Sequence, residues 1–243
     1  MESSSAWDTL SRDMTANEIK MVRSLSQKKY RDQYGMFVVE GRKLVAEAQA
    51  CGLDIVDIYS EENVGPQTMA RISSMSSPSP VVAVVRKPAL KGLEKPYKGL
   101  YLALDAVRDP GNLGTIIRIA DWFALDGVIA SEDTAELFNP KVLQASMGSA
   151  FRVKFVRCAL KPALAGFRAQ GIPVYGTFLN GENIYRGTYP KDAVIVMGNE
   201  ANGIGDQVAS EVDRRITIPS FGSPTESLNV SVATAICVSE FRR

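Results

Sequence analysis

The stretch RDPGNLGTIIRIADWF, residues 108–123, places the charged guanidinium of Arg118 among isoleucines, just after a glycine-rich segment. A cation in that position could stabilise negative charge developing on a reacting oxygen, or bind a phosphate. A simpler role is also open, in which the stem of the side chain covers apolar surface and the guanidinium reaches water. Against that role, the helix has few polar positions and much of its surface is expected to be covered, and a buried arginine needs a partner or a function.

Glycine-rich turns are expected after three predicted strands, at residues 110–114, 198–205 and 221–229. Open α/β sheets bind ligands beyond the carboxyl ends of their strands, so three such turns together favour a binding site. Taken singly, each could be an ordinary turn, because the same residue types dominate turns. Glu200 could likewise be a simple turn carboxylate, and Ser227 and Asn229 could simply cap a helix.

The composition excludes several kinds of chemistry. The 243 residues include no histidine and three cysteines, with a formal net charge of +1. Without histidine there is no Ser–His or Cys–His pair and no histidine-bound metal, and the cysteines are too scattered for a zinc site, so we expect no metal. Neither a signal peptide nor an apolar run of about 20 residues is visible, which predicts a cytoplasmic protein with no membrane association.

The elements that must position these residues fall into two groups. In the first, a helix is predicted over residues 15–31, opened by a capping box of Thr15 and Glu18. Another helix over 42–51 and three short strands follow, at 36–40, 54–59 and 81–85. Two prolines, two glycines and several lysines then predict a linker over residues 86–99.

Strands and helices alternate in the second group. Strands are predicted at 100–107, 126–131, 153–156, 172–178, 193–198 and 214–220, and helices at 112–125, 139–150, 161–169 and 227–241. Alternation of this kind predicts an α/β domain with a parallel sheet covered on both faces. We therefore divide the chain into a small α/β domain at 15–90 and a larger one at 98–243.

The second domain resembles the SpoU–TrmH family of RNA ribose 2′-O-methyltransferases, within the SPOUT superfamily. Residues 144–153 are similar to the family's middle segment, while Ala201 stands where the family often has glycine. Three ordered motifs carry the resemblance: Asp105, Val107, Asp109, Pro110, Asn112, Gly114, Ile116, Arg118 and Ala120; then Gly198, Glu200 and Gly203; then Ile218, Pro219 and residues 227–233.

The resemblance implies S-adenosylmethionine as methyl donor and a parallel-sheet SPOUT domain tied in a trefoil knot, a feature that general rules of topology would not predict. It implies cofactor binding by Thr177, Phe178, Gly198, Ile218 and Leu228. It also implies that Arg118 acts on the reacting 2′-oxygen, as a base or as a preorganised cation. Four further residues would orient it and the RNA: Asn112, Glu200, Ser227 and Asn229.

The first domain resembles the ribosomal-protein-like, RNA-binding domain that precedes many of these enzymes. Residues 20–31 and 151–168 each hold five basic side chains and no acidic one, a pattern typical of phosphate-binding patches and also of solvated faces. The resemblance implies an RNA partner, with ribosomal RNA favoured over transfer RNA, and a homodimer. A base methyltransferase and a non-catalytic RNA-binding protein of the same fold are the alternatives.

Overall fold

The computed structural model describes residues 13–90, 92–95, 97–222 and 227–243, and within them the chain forms two β-sheets. The first sheet is antiparallel, in the order β1-β3-β2, and its unit also contains five helices. The elements of this amino-terminal unit are α1 (Ala16–Ser24), α2 (Lys28–Tyr34), β1 (Met36–Glu40), α3 (Arg42–Ala50), β2 (Ile55–Ser60), α4 (Glu61–Val64), α5 (Pro66–Ile72) and β3 (Val81–Arg86).

The single helix predicted over residues 15–31 is wrong, because the segment forms two helices. The predicted capping box is confirmed: Thr15 accepts a hydrogen bond from the Glu18 amide, and the Glu18 carboxylate accepts one from the Thr15 amide. The chain turns after Ser24, and Gly35 then ends the second helix with a left-handed φ of 62°. Glycine adopts this conformation without a Cβ clash, so the chain can turn directly into β1.

The second sheet is six-stranded and parallel throughout, in the order β6-β5-β4-β8-β7-β9, which confirms the predicted fold class. Its elements are β4 (Leu100–Leu104), α6 (Pro110–Trp122), β5 (Gly127–Ala130), α7 (Pro140–Ser146), β6 (Phe155–Arg157), α8 (Leu160–Arg168), β7 (Val174–Asn183), β8 (Ala193–Met197), α9 (Asp206–Ala209), β9 (Arg214–Thr217) and α10 (Val230–Arg242).

Helices cover both faces of this sheet, as a parallel sheet requires. In β4, Leu102 faces a core shared with α6, α7 and α10, while Ala103 faces a second core shared with α8. The near-continuous apolar run of this strand follows from burial on both faces. The predicted two-sided covering is therefore confirmed.

The glycine-rich turn predicted at residues 110–114 is wrong, because α6 begins at Pro110. Asp109 caps the helix by accepting the Asn112 amide at 2.7 Å, and proline is tolerated at the first helical position. A Cβ at Gly114 would lie 2.5 Å from the Ala145 Cβ. This glycine is therefore needed for close packing of α6 against α7 and not for a turn.

The two units share an apolar core. Phe37 of β1 stacks on Phe138 with ring centroids 4.6 Å apart, and Gln144 of α7 donates to the Glu40 carbonyl at 2.8 Å. The segment predicted as a linker also contacts both units, because Lys87 pairs with Asp32 of the amino-terminal unit and with Glu136 of the larger one. Tyr97 of the same segment stacks on Phe167. The amino-terminal unit is consequently packed directly onto the larger one.

Candidate functional site

A cleft of about 460 Å³ opens at the carboxyl ends of three neighbouring strands, β8, β7 and β9. Its walls come from the segments that follow those strands and from the first turns of α10. All five residues predicted to bind the cofactor line this one cleft: Thr177, Phe178, Gly198, Ile218 and Leu228. Residues far apart in sequence meet here because parallel strands present their carboxyl ends at one edge of a sheet.

Gly198 has no room for a side chain. A Cβ at this position would lie 2.3 Å from the Gly203 carbonyl carbon and 2.4 Å from the Ile204 nitrogen, both backbone atoms that cannot turn away. The turn is closed by two hydrogen bonds of 2.9 Å between the backbones of Asn199 and Gly203. The second glycine-rich segment therefore forms a tight turn, as the sequence predicts.

Three of the four predicted orienting residues, Asn112, Glu200 and Asn229, form a hydrogen-bonded chain beside the cleft. Asn112 donates through Nδ2 to Oε1 of Glu200 at 2.8 Å, and its Oδ1 accepts from Nδ2 of Asn229 at 2.9 Å. Glu200 and Ser227 both line the cleft. These bonds join segments separated by 88 and 117 residues, and they give each amide one fixed orientation.

Asn229 also caps α10. Its Oδ1 accepts the amides of Ser231 at 2.9 Å and Val232 at 3.4 Å, and the Ser231 hydroxyl at 2.6 Å. Asn229 therefore has the capping role that its residue type suggests, and it also belongs to the hydrogen-bonded chain. The helix predicted to begin at 227 begins instead at Val230, so Ser227 and Leu228 remain in the loop. Of the predicted turn at 221–229, residues 223–226 lie outside the described residues.

Arg118 does not lie in the cleft. Its side chain is exposed, and within the ranges that the structure describes it has neither a hydrogen bond nor an ion pair, which agrees with the alternative in which the guanidinium reaches water. Ile117 and Ile119 adjoin it in sequence but point about 100° away around the helix. The face of α6 that carries Arg118 also carries Thr115 and Trp122, which are both exposed.

Two residues of the site were not predicted to act there. Asp105 accepts the Gly205 amide through Oδ2 at 2.8 Å, and burial raises the pKa of this carboxyl. Asn199 donates to the Ala106 carbonyl at 2.7 Å, and Ala106 has a left-handed φ of 57° that is unusual for a residue with a Cβ. Asp105 directly follows β4 and Asn199 lies two residues past the end of β8, and a polar residue just beyond a buried strand is the signal that could have identified them.

The basic segments have mostly structural roles. Arg31 pairs with Glu136, and Arg152 pairs with Glu47 and Asp121. Arg157 donates to four backbone carbonyls, of Ser131, Glu132, Thr134 and Ala135. Arg168 is also paired, with Glu211 and Asp213. Three of the five cations in the phosphate-binding patch predicted at 151–168 therefore make internal contacts.

Neither a metal site nor a membrane-spanning segment is found in the described part of the chain. No group of three or more cysteine, aspartate or glutamate side chains there could hold a metal ion. No described helix is long and apolar enough to cross a membrane.

Comparison with known proteins identifies the family. The model of the SpoU rRNA Methylase family matches residues 99–239, and that of the MRM3-like substrate binding domain matches residues 16–92. The chain is 34% identical to the 23S rRNA (guanosine(2553)-2′-O)-methyltransferase RlmP of Bacillus subtilis, over 93% of this chain and 96% of that protein.

Solved structures agree with the sequence matches. An AdoMet-bound rRNA methyltransferase from Sinorhizobium meliloti superposes with a TM-score of 0.86 at 31% identity, covering 96% of this chain and 97% of the other. A protein from Porphyromonas gingivalis assigned to the TrmH family of RNA methyltransferases gives 0.84 at 41% identity, covering 95% and 98%. The chain therefore belongs to the SpoU rRNA methylase family and is an RNA methyltransferase.

Proposed function

We propose that the protein transfers a methyl group from S-adenosylmethionine to a ribose 2′-hydroxyl of ribosomal RNA. The observation that carries this proposal is the meeting of the five cofactor residues and the Glu200–Asn112–Asn229 chain at one cleft. The Bacillus subtilis relative is a 23S rRNA methyltransferase and the Sinorhizobium meliloti protein is an rRNA methyltransferase, which favours this RNA over transfer RNA.

The cleft suits the cofactor in size and in chemistry. Its volume lies in the range of small-molecule sites, and apolar side chains can enclose an adenine ring, among them Met197, Ile218, Leu228, Val230 and Ala233. Gly198 lets the loop that lines the cleft close on itself, since a Cβ there would meet the backbone of Gly203 and Ile204. When bound, the cofactor supplies a methyl group on a sulfonium, which is already activated for transfer.

The residues of the chain hold the two reactants in place. The hydrogen-bonded chain fixes the Glu200 carboxylate at the edge of the cleft, and Ser227 lines the same wall. In this role Asn112 and Asn229 are positioning residues, because each acts through the group to which it is bonded. Orienting a hydroxyl in line with a methyl group lowers the barrier before any proton is moved.

The position of Arg118 supports a homodimer in which this residue serves the partner's site. Trp122 follows it by one helical turn and is 85% exposed, and Val232 on the adjoining α10 is 49% exposed. Aromatic residues such as tryptophan are enriched at protein–protein interfaces. A two-fold dimer that covers Trp122 also brings Arg118 to the interface, where its guanidinium can reach a developing oxyanion or a phosphate across the boundary.

Three further features are part of this proposal. The chain divides into an RNA-binding domain at 15–90 and a catalytic domain at 98–243, in line with the two family matches. The carboxyl-terminal segments form a trefoil knot. The path of the chain supports this, because β9 lies beyond β7 at the edge of the sheet and the chain then returns so that α10 packs on α6. A cytoplasmic location follows from a ribosomal RNA substrate.

The test is methyl transfer from tritiated S-adenosylmethionine to ribosomal and transfer RNA, in the presence of a chelator. Ribose 2′-O-methylation blocks alkaline cleavage at the modified nucleotide, so the labelled product should survive as an alkali-resistant dinucleotide. Glu200→Ala is the control and should transfer little. Label in a mononucleotide would indicate base methylation, and absence of label on every RNA would indicate a non-catalytic protein.

A further inference from the structure

Helix α2 (Lys28–Tyr34) has two faces with different surroundings. On the inner face, Arg31 is only 2% exposed. On the flank of the helix, Tyr30 and Tyr34 stack with ring centroids 6.3 Å apart and an interplanar angle of 18°. Tyr34 is 41% exposed, so the tyrosine pair is anchored by a buried charge but open to solvent.

The buried arginine joins the two units of the protein. Its Nε donates to Oε2 of Glu136 at 3.0 Å, and a second bond from the guanidinium reaches the same oxygen. The remaining guanidinium nitrogen donates to the carbonyls of Leu25 and Ser26, both at 2.8 Å. A buried charge is costly when unpaired, so this arrangement fixes α2 against the loop that precedes α7.

A second cation strengthens the same junction. Lys87 donates to Asp32 of α2 at 2.7 Å and to Glu136 at 3.4 Å. Hydrogen bonds from Lys28 and Lys87 lower the pKa of Asp32 to about 2, so this carboxylate stays charged at any physiological pH. The position of α2 is thus held by three ionic contacts and not by a flexible connection.

The open flank has the composition of a surface that binds unpaired RNA. The Lys29 ammonium lies 5.7 Å from the Tyr30 ring centroid, which places a cation beside the stacked pair. Single-stranded RNA is recognised by stacking of its bases on aromatic rings, together with cations for its phosphates. A double-stranded helix would not offer its bases to such a surface.

We propose that Lys29, Tyr30 and Tyr34 bind an unpaired stretch of the substrate RNA, and that the Arg31–Glu136 pair sets the distance from this surface to the cleft. A fixed distance lets only one ribose reach the methyl donor, so the pair positions the RNA without touching it. This inference rests on the proposed function, since it names where that RNA is held.

Tyr34→Ala tests the surface by filter binding to in vitro transcribed 23S ribosomal RNA, without cofactor. The loss of one stacked base predicts binding weaker by about tenfold. Tyr34→Phe should bind normally, because stacking needs no hydroxyl. Tyr185→Ala is the matched control, since Tyr185 is exposed to 39% and lies outside α2. Normal binding by Tyr34→Ala, or an equal loss in Tyr185→Ala, would overturn the assignment of this surface.

Glu136→Gln tests the ionic anchor. RNA affinity should be retained, whereas kcat should fall and methyl groups should appear on neighbouring nucleotides. If Glu136→Gln folds poorly, the double variant Arg31→Met with Glu136→Met removes both charges and should fold better than either single change. Methylation confined to one nucleotide at normal kcat in both variants would refute the positioning role.

The binding experiment requires no turnover, so it separates this inference from the proposed function. If the wild-type protein bound RNA through α2 but transferred no methyl group, the proposed function would fail and the RNA surface would stand. If it transferred methyl groups while Tyr34→Ala bound normally, the proposed function would stand and the surface would fail.

Discussion

Arg118 should act in the active site of the partner protomer, and mixing two inactive variants can show this. Because the side chain is exposed and has no partner within the described ranges, Arg118→Ala should change the free energy of unfolding by less than about 0.5 kcal/mol. Loss of one preorganised charge should nevertheless lower kcat by about 10²- to 10³-fold. Arg71 is also an exposed helical arginine, and Arg71→Ala at saturating RNA is the control that should keep normal kcat.

Glu200→Ala supplies the second inactive variant, because Glu200 lines the cleft of its own chain. In a mixed dimer, the site with an intact Glu200 belongs to the Arg118→Ala chain and receives Arg118 from the other chain. Random mixing makes half of the dimers mixed, and each has one complete site of two, so activity should recover to about a quarter of the wild-type value.

The two chains should be coexpressed with different tags and purified through both, so that only mixed dimers are assayed in single turnover. If Arg118 served its own chain, every site of the mixed dimer would lack one residue and no activity would return. A purified mixed dimer with no activity would therefore refute transfer across the interface, and a monomer by sedimentation at micromolar concentration would refute the dimer itself.

Three further predictions follow from particular contacts. Asn229→Asp keeps the oxygen that caps α10 but loses the donor to Asn112, so its thermal melt should stay normal while kcat falls; equal losses of both would show that the cap alone matters. Gly198→Ala should abolish cofactor binding in calorimetry, because its Cβ would meet backbone at 2.3 Å, whereas Gly222→Ala, with nothing within 4 Å, should bind normally. Burial raises the pKa of Cys237 and of Tyr189 to about 12. Both groups therefore stabilise the fold fully at pH values below the pKa that they have in the unfolded chain, and this stabilisation should decline as the pH rises towards 12. A free energy of unfolding in urea that stays constant from pH 9 to pH 12 would contradict this.

Local sequence patterns predict many of the helices and strands but few of their boundaries. The Thr15 capping box and the apolar strand at 100–104 follow from neighbouring residues, so they could be predicted. The start of α6 at Pro110 could not, because the same glycines that suggest a turn also permit a tight helix contact. Only the position of Ala145, across the α6–α7 interface, shows why residue 114 is glycine.

The candidate site shows the same limit. Glu200 and the five residues predicted to bind the cofactor line one cleft, but no local pattern reveals which amide bonds to which carboxylate. Asn112 meets partners 88 and 117 residues away only after the sheet order places β4 beside β8. The isoleucines beside Arg118 in the sequence do not decide whether it is buried, because sequence neighbours on a helix face different directions, whereas residues four positions away share its surface.

The geometry also explains how a site without histidine can stabilise negative charge. Helix α10 begins at the edge of the cleft, and the first turn of α6 is joined to it by the bond from Asn112 to Glu200. Each helix presents a partial positive charge at its amino terminus. The residues that cap them, Asp109 and Asn229, each fix Asn112, one through its backbone amide and the other through its side chain. The contacts that satisfy the helix ends are therefore the contacts that orient the site, so the fold and the electrostatics of the reaction depend on the same hydrogen bonds. In the dimer proposed above, Arg118 of the partner protomer would add a full positive charge that two helix termini cannot supply.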